Sequence, residues 1–165
     1  MRSHWFLPLI LLVSGSVCAA AAPIGDDVLK PASVRLAGEG RAALAKGDAI
    51  TAIDAFEAAL AVDPKNVGAF SGIAQGYEKL GLPGKAVRYY REALALNPSD
   101  LSALEGQGKA LIARGATARA QVNLARIKAL CKADCGAATR LQTALTAASA
   151  AASAAPAIKP SEARN

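Results

Sequence analysis

Histidine and cysteine are scarce in this chain of 165 residues, which has one histidine and three cysteines. His4 and Cys18 lie so close to the start that removal of an N-terminal segment would delete both. The rest would then have no imidazole to act as a general base or metal ligand near neutral pH. Cys131 and Cys135 alone fall short of the usual four ligands of a zinc site. We therefore predict no metal and no cofactor.

Aromatic residues are also few, at 4% of the chain. Alternating Val/Ile/Thr/Tyr runs bounded by turn residues are missing, so strands are not expected. A composition with much alanine and few aromatics favours closely packed helices. Also missing are a glycine-rich phosphate loop, a nucleophile elbow and a paired-carboxylate motif. These absences predict an all-α protein that is not an enzyme.

The first residues do resemble a secretory signal. Arg2 is followed by the apolar stretch 5–17 and by the small residues Ala19 to Ala22, which is the order of a signal peptide. We predict a signal peptide over 1–21 and export to the periplasm. Because Trp5 to Ile24 contains no charge, a retained membrane anchor facing the periplasm is the alternative.

The composition changes again at both ends of the remaining chain. Residues 22–32 are predicted to form an exposed leader. Residues 149–165 are an Ala/Ser/Pro-rich, low-complexity tail, which has too few bulky apolar side chains to offset the entropy of ordering. The folded domain is therefore predicted to span residues 33–148.

Within that domain the sequence repeats with a fixed period. Pro64 and Pro98 close the similar phrases EAALAVDP and REALALNP, 34 residues apart. Such a period is typical of stacked helical repeats. Three further sets share the same spacing: Gly47, Gly81 and Gly115; Ala52, Ala86 and Ala120; Phe56, Tyr90 and Leu124.

The middle repeat resembles the tetratricopeptide repeat, known from small exported bacterial proteins among others. It carries that family's pattern of large and small residues at Phe70, Ile73, Ala74, Tyr77, Gly81, Ala86, Tyr90, Ala93 and Pro98. The flanking repeats depart from the pattern, with Glu39 and Gln107 at the family's leucine position and Lys132 at its proline position.

The resemblance implies an α-α superhelix, or solenoid, of about three helical hairpins. The hairpins would cover residues 33–66, 67–100 and 101–134, and a capping helix would cover 135–148. Tyr90 is expected to lie between the helices of its own hairpin and the next. Arg140 of the capping helix is expected to face water.

The two remaining cysteines would flank the turn before the capping helix, where Asp134 is the predicted N-cap. An even number of cysteines in an oxidising compartment favours a disulfide, so Cys131 and Cys135 are predicted to form a structural bridge. A redox-active pair is the alternative, because a thiol at a helix N-terminus has a lowered pKa. The three-residue spacing differs from that of thioredoxin-like motifs.

The resemblance also implies a groove, built mainly from the first helix of each hairpin, that receives a peptide or a segment of another protein. The chain lacks the Lys/Asn-rich pattern of the carboxylate-clamp subfamily, since Ala37, Gly72 and Ser102 stand at three of its polar positions. A receptor for chaperone tails is therefore disfavoured. The residues predicted to line the groove are Arg41, Ser71, Gln75, Lys79, Glu105 and Lys109.

The charge is unevenly distributed along the chain. Acidic residues outnumber basic ones between Ala22 and Glu78, and basic residues dominate between Lys79 and Arg140. This favours an acidic partner or an anionic surface for the second half. We predict a cell-envelope scaffold for protein–protein contacts, with a thiol-redox factor as the alternative. Nucleic acid is not expected, and membrane contact is expected only if the N-terminal segment is retained.

Overall fold

The computed structural model describes residues 28–131 and 135–154, and these form seven α-helices without a strand. The predicted all-α architecture of three hairpins and a closing helix is confirmed. The predicted signal peptide, most of the leader, Lys132, Asp134 and the end of the tail lie outside the described residues. The helices are α1 (Pro31–Ala45), α2 (Ala49–Val62), α3 (Val67–Lys79), α4 (Pro83–Leu96), α5 (Leu101–Ala113), α6 (Thr117–Leu130) and α7 (Gly136–Ala154).

Two helix boundaries differ from the predicted domain limits. Helix α1 begins at Pro31, inside the predicted leader, because proline is well suited to the first position of a helix. Helix α7 continues to Ala154, beyond the predicted end at residue 148. Its last turns are rich in alanine, the residue with the highest helix propensity, so they remain helical although their side chains are exposed.

Each hairpin turns at a glycine with a left-handed backbone. Gly47, Gly81 and Gly115 have φ angles of 84°, 69° and 74°, and no other described residue has positive φ. A side chain is disfavoured in this conformation, whereas glycine adopts it freely. The 34-residue spacing of these glycines in the sequence therefore corresponds to three equivalent helix–helix turns.

The helices are arranged in two layers of different compactness. Helix α1 contacts α3, α3 contacts α5, and α5 contacts α7, whereas no two of α2, α4 and α6 contact one another. We call α1, α3, α5 and α7 the inner layer and α2, α4 and α6 the outer layer. Because the inner helices are closer together, the stack curves with its inner layer on the concave side.

Large side chains of the outer layer pack against glycines of the inner layer. Phe56 is fully buried, and a Cβ atom on Gly40 or Gly72 would come within 3 Å of its ring. Tyr90 is packed against Gly106 in the same way. The predicted position of Tyr90 between two hairpins is therefore confirmed. Gly40 and Gly72 are needed because they allow α1 and α3 to close on either side of one aromatic ring.

Gln107, which stands at the family's leucine position in the third repeat, takes part in a hydrogen-bond network. Asn123 is buried and donates hydrogen bonds to the Leu104 carbonyl at 3.1 Å and to Oε1 of Gln107 at 2.9 Å. Gln107 donates in turn to the Val87 carbonyl at 3.4 Å. A leucine at position 107 would leave the amide of Asn123 with one partner fewer. The departure from the family pattern thus belongs to a buried hydrogen-bond network.

Candidate partner-binding face

The six residues predicted to line the groove all lie on the inner layer. Arg41 is on α1 and Ser71, Gln75 and Lys79 are on α3, while Glu105 and Lys109 are on α5. Arg41, Gln75 and Lys109 are 34 residues apart and so occupy equivalent positions in the three hairpins. All three are exposed, as is Lys79. These four side chains form the accessible part of the predicted set, and we call them the inner face.

Glu105, by contrast, is buried and already paired. Its carboxylate accepts two hydrogen bonds from Arg140 of α7, at 2.8 and 2.6 Å, and one from Lys109 at 2.6 Å. The hydrogen bond from Arg140, with the further bond and charge of Lys109, holds the pKa of Glu105 below its usual range. Because two cations neutralise this carboxylate, a partner at the surface would contact Arg140 and Lys109 rather than Glu105.

Arg140 was not in the predicted set. Its side chain is 60% exposed, in agreement with the expectation that it faces water, and its guanidinium also donates to Glu105. In the 34-residue register Arg140 is equivalent to Gly72 and Gly106 of the earlier hairpins, so the register gives its place in the stack but not its pairing with Glu105. Helix α7 thus behaves as the first helix of an incomplete fourth repeat, and it closes the inner layer with a charge.

Ser71 also differs from its expected role. Its Oγ atom is buried and has no hydrogen-bond partner among the described residues. A partner lying on the surface would not reach this hydroxyl directly. Ser71 and Glu105 therefore belong to the packing beneath the inner face, whereas Arg41, Gln75, Lys79 and Lys109 are open to a partner.

A second carboxylate, Glu78 on α3, was missed by the sequence analysis. The Tyr90 hydroxyl donates a hydrogen bond of 2.9 Å to it. Burial raises the pKa of Glu78, and the Tyr90 hydrogen bond and the charge of Lys109 only partly oppose that effect. Burial and the nearby Glu78 charge raise the pKa of Tyr90 as well. The family pattern marks the large residue at position 90 but carries no information on its polar partner.

The cysteine pair joins the last hairpin to α7. Cys131 is the C-cap residue of α6, and Cys135 directly precedes α7. The two are linked by a disulfide with an S–S distance of 2.04 Å and a Cα–Cα distance of 5.9 Å. Both side chains are half-buried against the core. The bridge therefore ties the end of α6 to the start of α7, the helix that carries Arg140.

Residues 28–131 and 135–154 contain no group of three or more His, Cys, Asp or Glu side chains arranged to hold a metal ion. None of the seven helices is both long enough and apolar enough to cross a membrane.

Comparison with known proteins supports the repeat assignment. Residues 67–100 match the tetratricopeptide repeat family. None of the curated proteins matches the chain in sequence. The solved structures that resemble it include the tetratricopeptide domain of Sgt2 from Aspergillus fumigatus, with 26% identity and a TM-score of 0.68. That match covers 82% of this chain and 93% of the other.

Two other similar structures illustrate the range of proteins that contain such stacks. The first tetratricopeptide domain of Spaghetti (RPAP3), bound to an HSP90 peptide, is 24% identical with a TM-score of 0.67, and the match covers 74% of this chain and 99% of that one. An O-GlcNAc transferase of Thermobaculum terrenum is 25% identical with a TM-score of 0.63, over 69% of this chain and 22% of that one. One repeat is matched in sequence and the hairpin stack is matched in structure, so residues 67–100 form a tetratricopeptide repeat within a stack of the same fold.

Proposed function

We propose that the chain is a non-catalytic scaffold whose inner face binds a segment of a partner protein. One observation carries this proposal: Arg41, Gln75 and Lys109 form a row of exposed polar side chains, one from each hairpin, on the concave side. An extended peptide contacts successive hairpins in such a row. The Spaghetti (RPAP3) domain, which shares the fold, is solved with the HSP90 peptide SRMEEVD, and this supports a peptide as the ligand class.

The charges of the inner layer favour a partner segment with acidic residues. Arg41, Lys79 and Lys109 lie on α1, α3 and α5, and Glu105 below them is neutralised by Arg140 and Lys109. A carboxylate on a partner would therefore experience a net positive field. Ala37, Gly72 and Ser102 stand at three positions where the carboxylate-clamp subfamily has its Lys/Asn-rich pattern. The proposed ligand is therefore an internal acidic segment rather than a chaperone C-terminus.

Selection from a random peptide library tests this proposal. Peptides that bind the wild-type protein should be enriched in Asp and Glu. Their affinity should fall at least about tenfold when Arg41→Glu and Lys79→Glu are combined, because each substitution replaces an attraction by a repulsion. The control combines Arg88→Glu and Arg91→Glu on outer helix α4, with the same change in net charge. Equal losses in both variants, or no enriched peptide, would refute the inner face as the binding site.

We also propose that this scaffold acts outside the cytoplasm. The charged, apolar and small-residue order of residues 1–21 supports export, and a disulfide is stable in an oxidising compartment. Mass spectrometry of protein purified from its native host should find an N-terminus between Ala20 and Pro23. An intact Met1 on protein from the cytoplasmic fraction would contradict export.

A further inference from the structure

The outer layer carries a basic surface on its second and third helices. The exposed cations Lys85, Arg88 and Arg91 lie on α4, and Arg119, Arg126 and Lys128 lie on α6. Helix α6 has no acidic residue, and α4 has only Glu92. The 34-residue register makes Lys85 equivalent to Arg119, so these two cations occupy the same position on α4 and α6. We call this surface of α4 and α6 the outer basic face.

Three cations of this face contact neutral groups: Lys85 lies 4.8 Å from the centre of the Tyr77 ring, Arg126 donates to the Pro98 carbonyl, and Lys128 donates to Oε1 of Gln142 at 3.1 Å. No carboxylate among the described residues neutralises a cation of this face. All ion pairs of the described residues lie on the inner helices α1, α5 and α7. The side chains of Arg88, Arg91 and Arg119 form neither a hydrogen bond nor an ion pair within the described part of the chain. Outer helix α2 instead presents Asp54 and Glu57, at the positions equivalent to Arg88 and Arg91. The basic face therefore has a sharp acidic boundary on one side.

Apolar side chains are exposed among these cations. Val122 is 59% exposed on α6, and Leu130 is 43% exposed at its end. A hollow of about 380 Å³ at the Leu130 end of α6 is lined by Pro98, Ser99, Arg126, Ala129 and Leu130. One nitrogen of Arg126 donates to the Pro98 carbonyl at 3.0 Å, and the other guanidinium N–H groups point to no partner among the described residues. The hollow is thus apolar with a cation on its wall.

We propose that the outer basic face docks on an anionic phospholipid surface. Basic residues mixed with exposed apolar ones are the pattern of proteins that lie on membranes. Each Lys or Arg close to an anionic lipid surface contributes about 1 kcal/mol, or roughly a fivefold gain in affinity. In the hollow, the Arg126 guanidinium would bind a headgroup phosphate, and the Leu130 side chain would contact acyl carbons. A convex face meets a broad surface more easily than it encloses a peptide, and this favours lipid over an acidic polypeptide.

This contact is separate from the proposed peptide site, because it uses the opposite layer of the stack. It also differs from the membrane contact predicted from the sequence, which required a retained N-terminal anchor. A scaffold that binds lipid through its outer face would keep its inner face turned towards a partner.

Vesicle flotation with the full chain tests the proposal. One set of vesicles is phosphatidylcholine, and the other contains about one third phosphatidylglycerol, a composition that gives a strongly negative surface. The apolar N-terminal segment contributes in both sets, so the difference between them reports the charge-dependent contact. The wild type should bind the anionic vesicles more tightly, and this preference should disappear at high salt.

Two matched variants locate the contact. Combining Arg88→Glu, Arg91→Glu and Arg119→Glu should reduce binding to anionic vesicles by at least about 100-fold, from the fivefold contribution of each cation. Combining Arg41→Glu, Lys46→Glu and Lys79→Glu gives the same net charge and should retain most of the binding. All six side chains are exposed, and far-UV circular dichroism checks that both variants fold. Leu130→Asn, which changes no charge, should lower binding a few-fold through loss of the apolar contact.

Three results would overturn the proposal. Equal losses in the two triple variants would mean that only net charge matters and would overturn the assignment to the outer face. A wild type without preference for phosphatidylglycerol would overturn lipid as the ligand. If polyglutamate bound the face and phosphatidylglycerol vesicles failed to compete with it, the occupant would be an acidic polypeptide and the lipid proposal would be wrong.

Discussion

Tyr90 offers a sharp test of the packing between hairpins, because its ring and its hydroxyl do different work. The ring is 2% exposed and packs against Gly106, while the hydroxyl donates to the half-buried Glu78. Tyr90→Ala removes both and should cost about 3–5 kcal/mol of unfolding free energy, as for other buried aromatics. Tyr90→Phe removes only the hydrogen bond and should cost about 1–2 kcal/mol, since Glu78 remains partly solvated.

The cost of Tyr90→Phe should depend on pH. Burial raises the pKa of Glu78 above its ordinary value, so the folded state favours the protonated carboxyl. The stability that this protonated group contributes is present at low pH and is lost as pH rises through the folded pKa. The Tyr90 hydroxyl lowers that pKa, so its removal makes the ionised carboxylate more unfavourable still. The difference between wild type and Tyr90→Phe should therefore be small near about pH 4 and larger at about pH 7.

Urea denaturation at both pH values measures these differences. Glu78→Gln provides the control: in that background Tyr90→Phe should lose its pH dependence, because no carboxyl remains to titrate. An equal cost at both pH values, or a melting temperature unchanged by Tyr90→Ala, would show that the ring and hydroxyl do not have the roles assigned to them.

Three other predictions concern the core, the charge network and the disulfide. Gly72→Ala should cost about 1–3 kcal/mol by overpacking against Phe56, measured by urea denaturation, and a neutral result would contradict the close approach of α3. Glu105→Gln should remove stability that the wild type has above the ordinary carboxyl pKa and loses as pH falls through the lowered pKa of Glu105 in the folded state. Melting temperature against pH measures this difference, and a pH profile unchanged by the substitution would refute the network. Replacing Cys131 and Cys135 by serine should cost no more than about 2 kcal/mol by the loop-length relation and should leave peptide affinity unchanged, whereas affinity that follows the redox state would favour a switch.

The sequence was sufficient to predict the hairpin stack, and the reason is physical. The turn glycines and the wedge residues recur every 34 positions because each hairpin solves the same packing problem. The network around Glu105 was not predictable in this way. It depends on Arg140 from an incomplete repeat reaching across to a neighbouring helix, a long-range contact that no local pattern specifies.

The prediction of the inner face was limited in the same way, because the repeat pattern does not specify long-range contacts. The family pattern indicates which helix faces inward, so all six predicted residues were placed on the correct layer. It does not indicate how deeply each side chain lies. Ser71 is half-buried because α3 is packed closely, and Glu105 is buried because two cations compensate its charge. Depth depends on neighbours distant in sequence.

Photo-crosslinking in the native host shows whether the inner face binds a polypeptide. A photoreactive amino acid is introduced at Gln75, in the middle of the inner face, and separately at Ala58, which is exposed on outer helix α2. We expect a discrete protein adduct from position 75 that is lost with Arg41→Glu and Lys79→Glu, and no adduct from position 58. Adducts of equal yield from both positions, or only from position 58, would contradict binding at the inner face.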